Sequence, residues 1–126
     1  MSIVLLLASC QGFVIQEHIV DKYYLQATDI GEQLCLAYCP DGNGCFPIIP
    51  ETVFAAGYNE KYIIVKQHPN NNRSITNYFI LTFAEAKERA GKDCLFIPLT
   101  LEEFEKQQKL LHLENVKFTT VFKELE

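Results

Sequence analysis

Residues 52–69, TVFAAGYNEKYIIVKQHP, decide how this chain is read. Thr52 to Tyr58 forms an apolar, strand-competent run, Asn59-Glu60-Lys61 breaks it with polar residues, and Tyr62 to His68 returns around Ile63, Ile64 and Val65. β-Branched and aromatic side chains suit a pleated surface, so the segment predicts two antiparallel strands joined by a short turn.

The flanks extend the pattern. Pro69 and NNNRSITN form a polar loop, and Asn77 to Phe83 supplies the next strand. Upstream, Pro47 and Pro50 lack amide donors, so CFPIIP is expected at an edge or as an irregular crossing. Lys22 to Asp29 is a strand ending at the turn DIGEQ, and Gln33 to Cys39 alternates as another. PDGNG then supplies residues that tolerate the positive φ of a hairpin turn.

Helical signals come later. AEAKERAGK predicts a short helix with Gly91 at its C-terminal cap. In LTLEEFEKQQKLLHL, Thr100 as N-cap and Glu103 three residues on make a capping box, while Leu101, Phe104 and Leu111 mark a face to pack on a sheet, with Leu110 beside it. VKFTTVF is expected to return as a final strand. The expected fold is α+β: an antiparallel β-meander of about five to six strands with a C-terminal α-helix packed on one face, in one domain over residues 22–126.

The chain has 126 residues, enough to bury a core without metal or disulfides. Sixteen acidic against eleven basic residues give a net charge of −5, with no basic run, so nucleic acid is not an expected partner. Ile3 to Ala8 is too short to span a bilayer as a helix.

That apolar run ends in Leu7-Ala8-Ser9-Cys10, which resembles the processing site of bacterial lipoproteins, where the peptidase cuts before a lipidated cysteine. On this reading residues 1–9 are the remnant of a signal, Cys10 carries the lipid, and residues 10–21 are lipidated cysteine and tether. The departure is that no Lys or Arg precedes Cys10, which an upstream start codon would repair. The rival reading makes SIVLLLAS a buried first strand. Gln11, in place of the Asp that retains lipoproteins at the inner membrane, points to a lipid-anchored protein on the outer membrane facing the periplasm. The membrane is thus the first expected partner.

A second likeness covers residues 46–112. The core V-x-x-x-G-[FYW]-[ND]-x-x-[FY]-I-I-x-K-Q spans Val53 to Gln67, Y-[FY]-I spans Tyr78 to Ile80, and P-L-T-x-x-[EQ]-[FY] spans Pro98 to Phe104. In these features the chain resembles small bacterial lipoproteins of unknown function, many of them from Bacteroidetes. The resemblance implies location and fold class, and carries no activity.

Besides Cys10 there are Cys35, Cys39, Cys45 and Cys94. Four residues of strand span about 13 Å, which keeps Cys35 from Cys39. Cys39 and Cys45 flank the PDGNG turn, so Cys39–Cys45 with Cys35–Cys94 is the favoured pairing, against the alternative that at least one thiol stays free. A zinc site through Cys35-x3-Cys39 is the weaker reading, since a strand splays the two side chains, and no metal or cofactor is expected.

No catalytic residues are assigned. His18, His68 and His112 are scattered, His68 reads as a solvated loop histidine, and a Cys94–His68 dyad has no motif behind it. Glu102, Glu103 and Glu105 suit helix capping and a solvated face. Tyr23, Tyr24, Tyr58, Tyr62 and Tyr78 read as half-buried sheet positions, with a sugar- or peptide-binding surface as the alternative. Lys66 and Gln67 are the exposed polar positions singled out for binding. The expectation is a lipid-anchored, non-enzymatic envelope module that presents a sheet face or strand edge to an envelope protein. The alternatives are a small thiol-dependent enzyme, or a soluble ligand carrier if the lipid signal is false. Oligomeric state has no signal in the sequence.

Overall fold

A computed structural model describes residues 13–42, 44–92 and 96–126. In chain order the elements are β1 (Ile15–Val20), β2 (Tyr23–Ala27), β3 (Cys35–Tyr38), β4 (Phe46–Ile49), β5 (Val53–Tyr58), β6 (Tyr62–Gln67), β7 (Asn77–Thr82), α1 (Phe83–Arg89), α2 (Leu101–Leu110) and β8 (Thr120–Val121). They form two four-stranded sheets, ordered β1-β2-β3-β4 and β7-β6-β5-β8. Every neighbouring pair is antiparallel.

The α+β class holds, but the single meander of five to six strands is corrected to eight strands in two sheets among the described residues. The break falls after β4, where Pro47 and Pro50 remove amide donors that a continuing ladder would use. Val53 N–H donates instead to the Leu34 carbonyl at 2.8 Å as the chain passes into the second sheet. There β5 becomes an inner strand, because β8 returns to its free side through Ala55–Val121 and Ala56–Thr120. An inner strand covered on both faces has no need of alternation, and Val53 to Ala56 are all at most 2 % exposed.

Leu25, Leu34, Leu36 and Ile49 from the first sheet share one core with Val53, Ile63, Val65 and Leu81 from the second. Each such fully buried aliphatic side chain contributes about 1.5–3 kcal/mol relative to exposure. The other face of the second sheet is covered by α2 and the tail beyond it. Phe104 stacks on Tyr78 with ring centroids 4.8 Å apart, and Phe118 closes from the far side at 5.9 Å from Phe104.

Both helices start as their sequences require. Thr100 Oγ1 accepts from Glu103 N–H at 3.1 Å, and Glu103 Oε1 accepts from Thr100 N–H at 2.9 Å. Thr82 and Glu85 make the same reciprocal pair at the start of α1. Gly91 takes φ +75° just past α1 and donates to the Pro47 carbonyl at 2.8 Å, tying the helix end to edge strand β4. The expected apolar face of α2 needs correction. Phe104 is buried and Leu111 half-buried, but Leu101 is 51 % exposed, and Leu110 beside them 70 %. The packing is completed beyond the helix by Leu113, at 1 % exposure.

The stretch read as a tether is also corrected. Residues 15–20 form β1, paired with β2 from Ile15–Ala27 to Val20–Tyr23. This edge strand exposes Gln16, Glu17 and His18 and buries only Ile19, so it lacked a strand's apolar signature. Among the described residues, no helix is long and apolar enough to cross a membrane. Cys10 and Cys94 lie outside the described residues.

Candidate functional site

Lys66 and Gln67 are neighbours on β6, so their side chains leave opposite faces of the sheet. Lys66 lies under the α2 layer, its ammonium 4.7 Å from the Phe118 ring centroid and 5.8 Å from that of Tyr78. It is half-buried and engaged with aromatic faces. Gln67 is the larger correction: expected exposed, it is 4 % exposed. Its Nε2 donates to the Pro50 carbonyl at 2.9 Å and its Oε1 accepts from Asn77 Nδ2 at 3.0 Å. The side chain donates to the proline-broken β4–β5 crossing and accepts from β7, so both ends of its amide are satisfied where it is buried. With Ile49, Phe79 and Pro98, these groups wall a cavity of about 150 Å³.

His68 is likewise buried rather than solvated, at 4 % exposure. Its ring stacks on Phe54 with centroids 4.2 Å apart, and its backbone exchanges two hydrogen bonds with Thr52, at 2.9 and 2.8 Å. Nδ1 lies 2.9 Å from the Ile75 carbonyl, which assigns the proton to Nδ1. Nε2 is buried without a hydrogen-bond partner among the described residues. The ring therefore acts as a wedge between β5 and the loop before β7.

Cys39 and Cys45 form a disulfide across the turn, Cα to Cα 4.1 Å, as their spacing predicted. Cys35 carries a free thiol. Burial, with a smaller contribution from Glu51, pushes that thiol up to about 11. Little thiolate then exists near neutral pH, and the thiolate is the nucleophilic form. Among the described residues, no group of three or more His, Cys, Asp or Glu side chains is placed to hold a metal ion.

The tyrosines do not gather into one surface. Tyr23 is 2 % exposed and donates through its hydroxyl to the Phe83 carbonyl at 2.9 Å; burial first, then Tyr38 and Asp21, push its phenol up to about 12. Tyr24 lies against His18, Tyr62 under Lys61, and Tyr78 against Phe104. Tyr58 is exposed and borders an open cleft with Val20, Asp21, Asn59 and Phe83.

Sequence reasoning missed an apolar groove at the edge of the second sheet. β7 is an edge strand, met at one point where Tyr78 and Leu99 exchange backbone hydrogen bonds at 3.0 and 2.8 Å. Strand alternation turns the amide and carbonyl of Ile80 the same way, toward a groove of about 320 Å³ between β7 and α2. Tyr62, Phe96, Ile97, Leu99 and Leu111 line it, and Ile97 is 84 % exposed. The available signal was the apolar pair Phe96-Ile97 ahead of Pro98, in a segment with no place in a helix or hairpin.

The architecture is thus a two-sheet α+β domain in which Gln67, His68 and Tyr23 are bound into the packing and an apolar groove lies open beside β7. The chain belongs to a family of proteins of unknown function, DUF3997, which it matches over residues 21–123. No curated protein and no solved structure matches it.

Proposed function

We propose that this chain is a non-catalytic interaction domain of the bacterial cell envelope, anchored by lipid at Cys10 on the outer membrane and facing the periplasm. The observation that carries the interaction reading is the groove between β7 and α2, with Ile97 84 % exposed on its wall and an edge strand beside it. Such an edge suits an extended apolar segment of an envelope protein, which would add backbone hydrogen bonds at Ile80 and fill the groove with side chains. Support for the compartment comes from Leu7-Ala8-Ser9-Cys10 and from the Cys39–Cys45 disulfide, a bond favoured in oxidising surroundings. The thiol-enzyme alternative is disfavoured at Cys35, whose proton is held too tightly for a nucleophile at neutral pH.

Intact mass of the native product tests the anchor: a chain beginning at Cys10 with added acyl mass is expected, and an unmodified Cys10 refutes it. Ile97→Asp tests the groove. In detergent-solubilised envelopes the parent is expected to migrate in a larger complex that the variant loses; a parent that migrates alone refutes the interaction reading.

A further inference from the structure

We infer that the domain rests directly on the bilayer surface through the end that carries Val14 and Ile30, with the β5–β6 turn pointing away. The inference rests on the lipid-anchor reading of Cys10 and deepens it by assigning an orientation.

The chain leaves almost no slack between anchor and fold. Among the described residues, the first backbone tie to the sheet is Val14 N–H to the Ala27 carbonyl at 2.9 Å. Four residue steps separate Cys10 from Val14, a reach of at most about 14 Å when fully extended. A domain of this size has a radius of gyration of about 13 Å. The tether is thus no longer than the body it holds, and the body cannot turn freely to offer another end.

The end held at the membrane exposes two large aliphatic side chains. Val14 is 56 % and Ile30 55 % exposed. The two belong to one end of the first sheet: Val14 is bonded to Ala27, and the Ile15 side chain lies against Gly31, next to Ile30. Single exposed aliphatics are ordinary on soluble surfaces. Two within a tether's reach of an acylated cysteine meet headgroups by geometry alone. The exposed carboxylates Asp29 and Glu32 flank Ile30, and Glu124 and Glu126 flank Leu125, which approaches Gly31. Lys123 lies on the same tail, and the Arg73 guanidinium, from the loop before β7, donates to the Glu124 carbonyl. With acids this close, the surface is suited to neutral, zwitterionic phospholipid, and the contact is shallow and apolar.

The opposite end is equally defined. β1 runs from Ile15 to Val20, about 20 Å of strand, and Val20 and Asp21 border the cleft shared with Tyr58 and Asn59. Tyr58 therefore marks the pole far from the anchor.

The chain contains no tryptophan, so one introduced indole reports its own depth. The acylated full-length product carrying Ile30→Trp, and separately Tyr58→Trp, is placed in phosphatidylcholine vesicles with brominated acyl chains. Expected is quenching about threefold stronger for Ile30→Trp than for Tyr58→Trp, because only side chains about 5–10 Å into the interface meet the bromines. Equal quenching, or stronger quenching at position 58, in protein that floats with the vesicles and carries acyl mass overturns the orientation and leaves the anchor standing. A native mass with Cys10 unmodified overturns the anchor, and this inference with it.

Discussion

Gly57 lies directly beneath the Lys117 carbonyl. A methyl group added at Gly57 would meet that oxygen in hard overlap, 2.8 Å from the Lys117 carbonyl carbon and 3.2 Å from Phe118 Cα. The C-terminal tail crosses the inner strand β5 here on its way to β8, and the missing side chain makes the crossing possible. Since the obstructing atoms are backbone, no rotamer change relieves the overlap. Gly57→Ala is expected to destabilise the fold by about 1–3 kcal/mol, read as a lower urea midpoint. An unchanged midpoint would show that the tail docks elsewhere.

Gln67 and Lys66, both expected exposed from the sequence, should separate in size of effect. Gln67→Ala leaves Asn77 and the Pro50 carbonyl without their partner, about 1–3 kcal/mol for a buried group left unsatisfied. Lys66→Ala loses aromatic contacts at a half-buried position, about 0.5–2 kcal/mol. Equilibrium unfolding of both variants checks the order, and a larger loss from Lys66→Ala contradicts it.

Tyr23→Phe removes one hydroxyl and keeps the ring contacts with Tyr38 and Phe83. The Phe83 carbonyl, at the start of α1, loses its donor, at an expected cost of about 1 kcal/mol. Alkaline absorbance titration gives an independent check: the parent, unlike the variant, should retain a phenol that ionises only near pH 12.

Cys35 makes stability depend on pH at the alkaline end. Its thiol ionises near 9 ordinarily and at about 11 in the fold, so the unfolded chain loses its proton first as pH rises. The contribution is complete below pH 9, falls between 9 and 11, and is gone above that. Cys35→Ser should flatten the stability profile across that window relative to the parent. In the folded parent, Cys35 should also resist alkylation at pH 7.

Separating Cys39 and Cys45 by serine substitution reopens a short loop of the unfolded chain. With a sequence separation of six, loop-closure entropy predicts a loss of about 2 kcal/mol. Thermal unfolding of the double variant beside the oxidised parent measures it, and matching curves would contradict it.

The amino-acid sequence by itself determined the features whose causes lie within a few residues. Strands β2, β3, β5, β6 and β7, the Thr100–Glu103 and Gly91 caps, and the Cys39–Cys45 bridge all follow from side-chain shape, proline and glycine stereochemistry or a short loop. Only the tertiary structure decided how those pieces associate. It recruited the weakly patterned β1, returned β8 to β5, split the strands into two sheets and buried Gln67 and His68 at the joint. It also left Leu101, Leu110 and Ile97 in solvent. The physical reason is that a residue's neighbours in the chain set its backbone preference, whereas sheet order and burial depend on which distant segments repay the entropy of closing the loops between them.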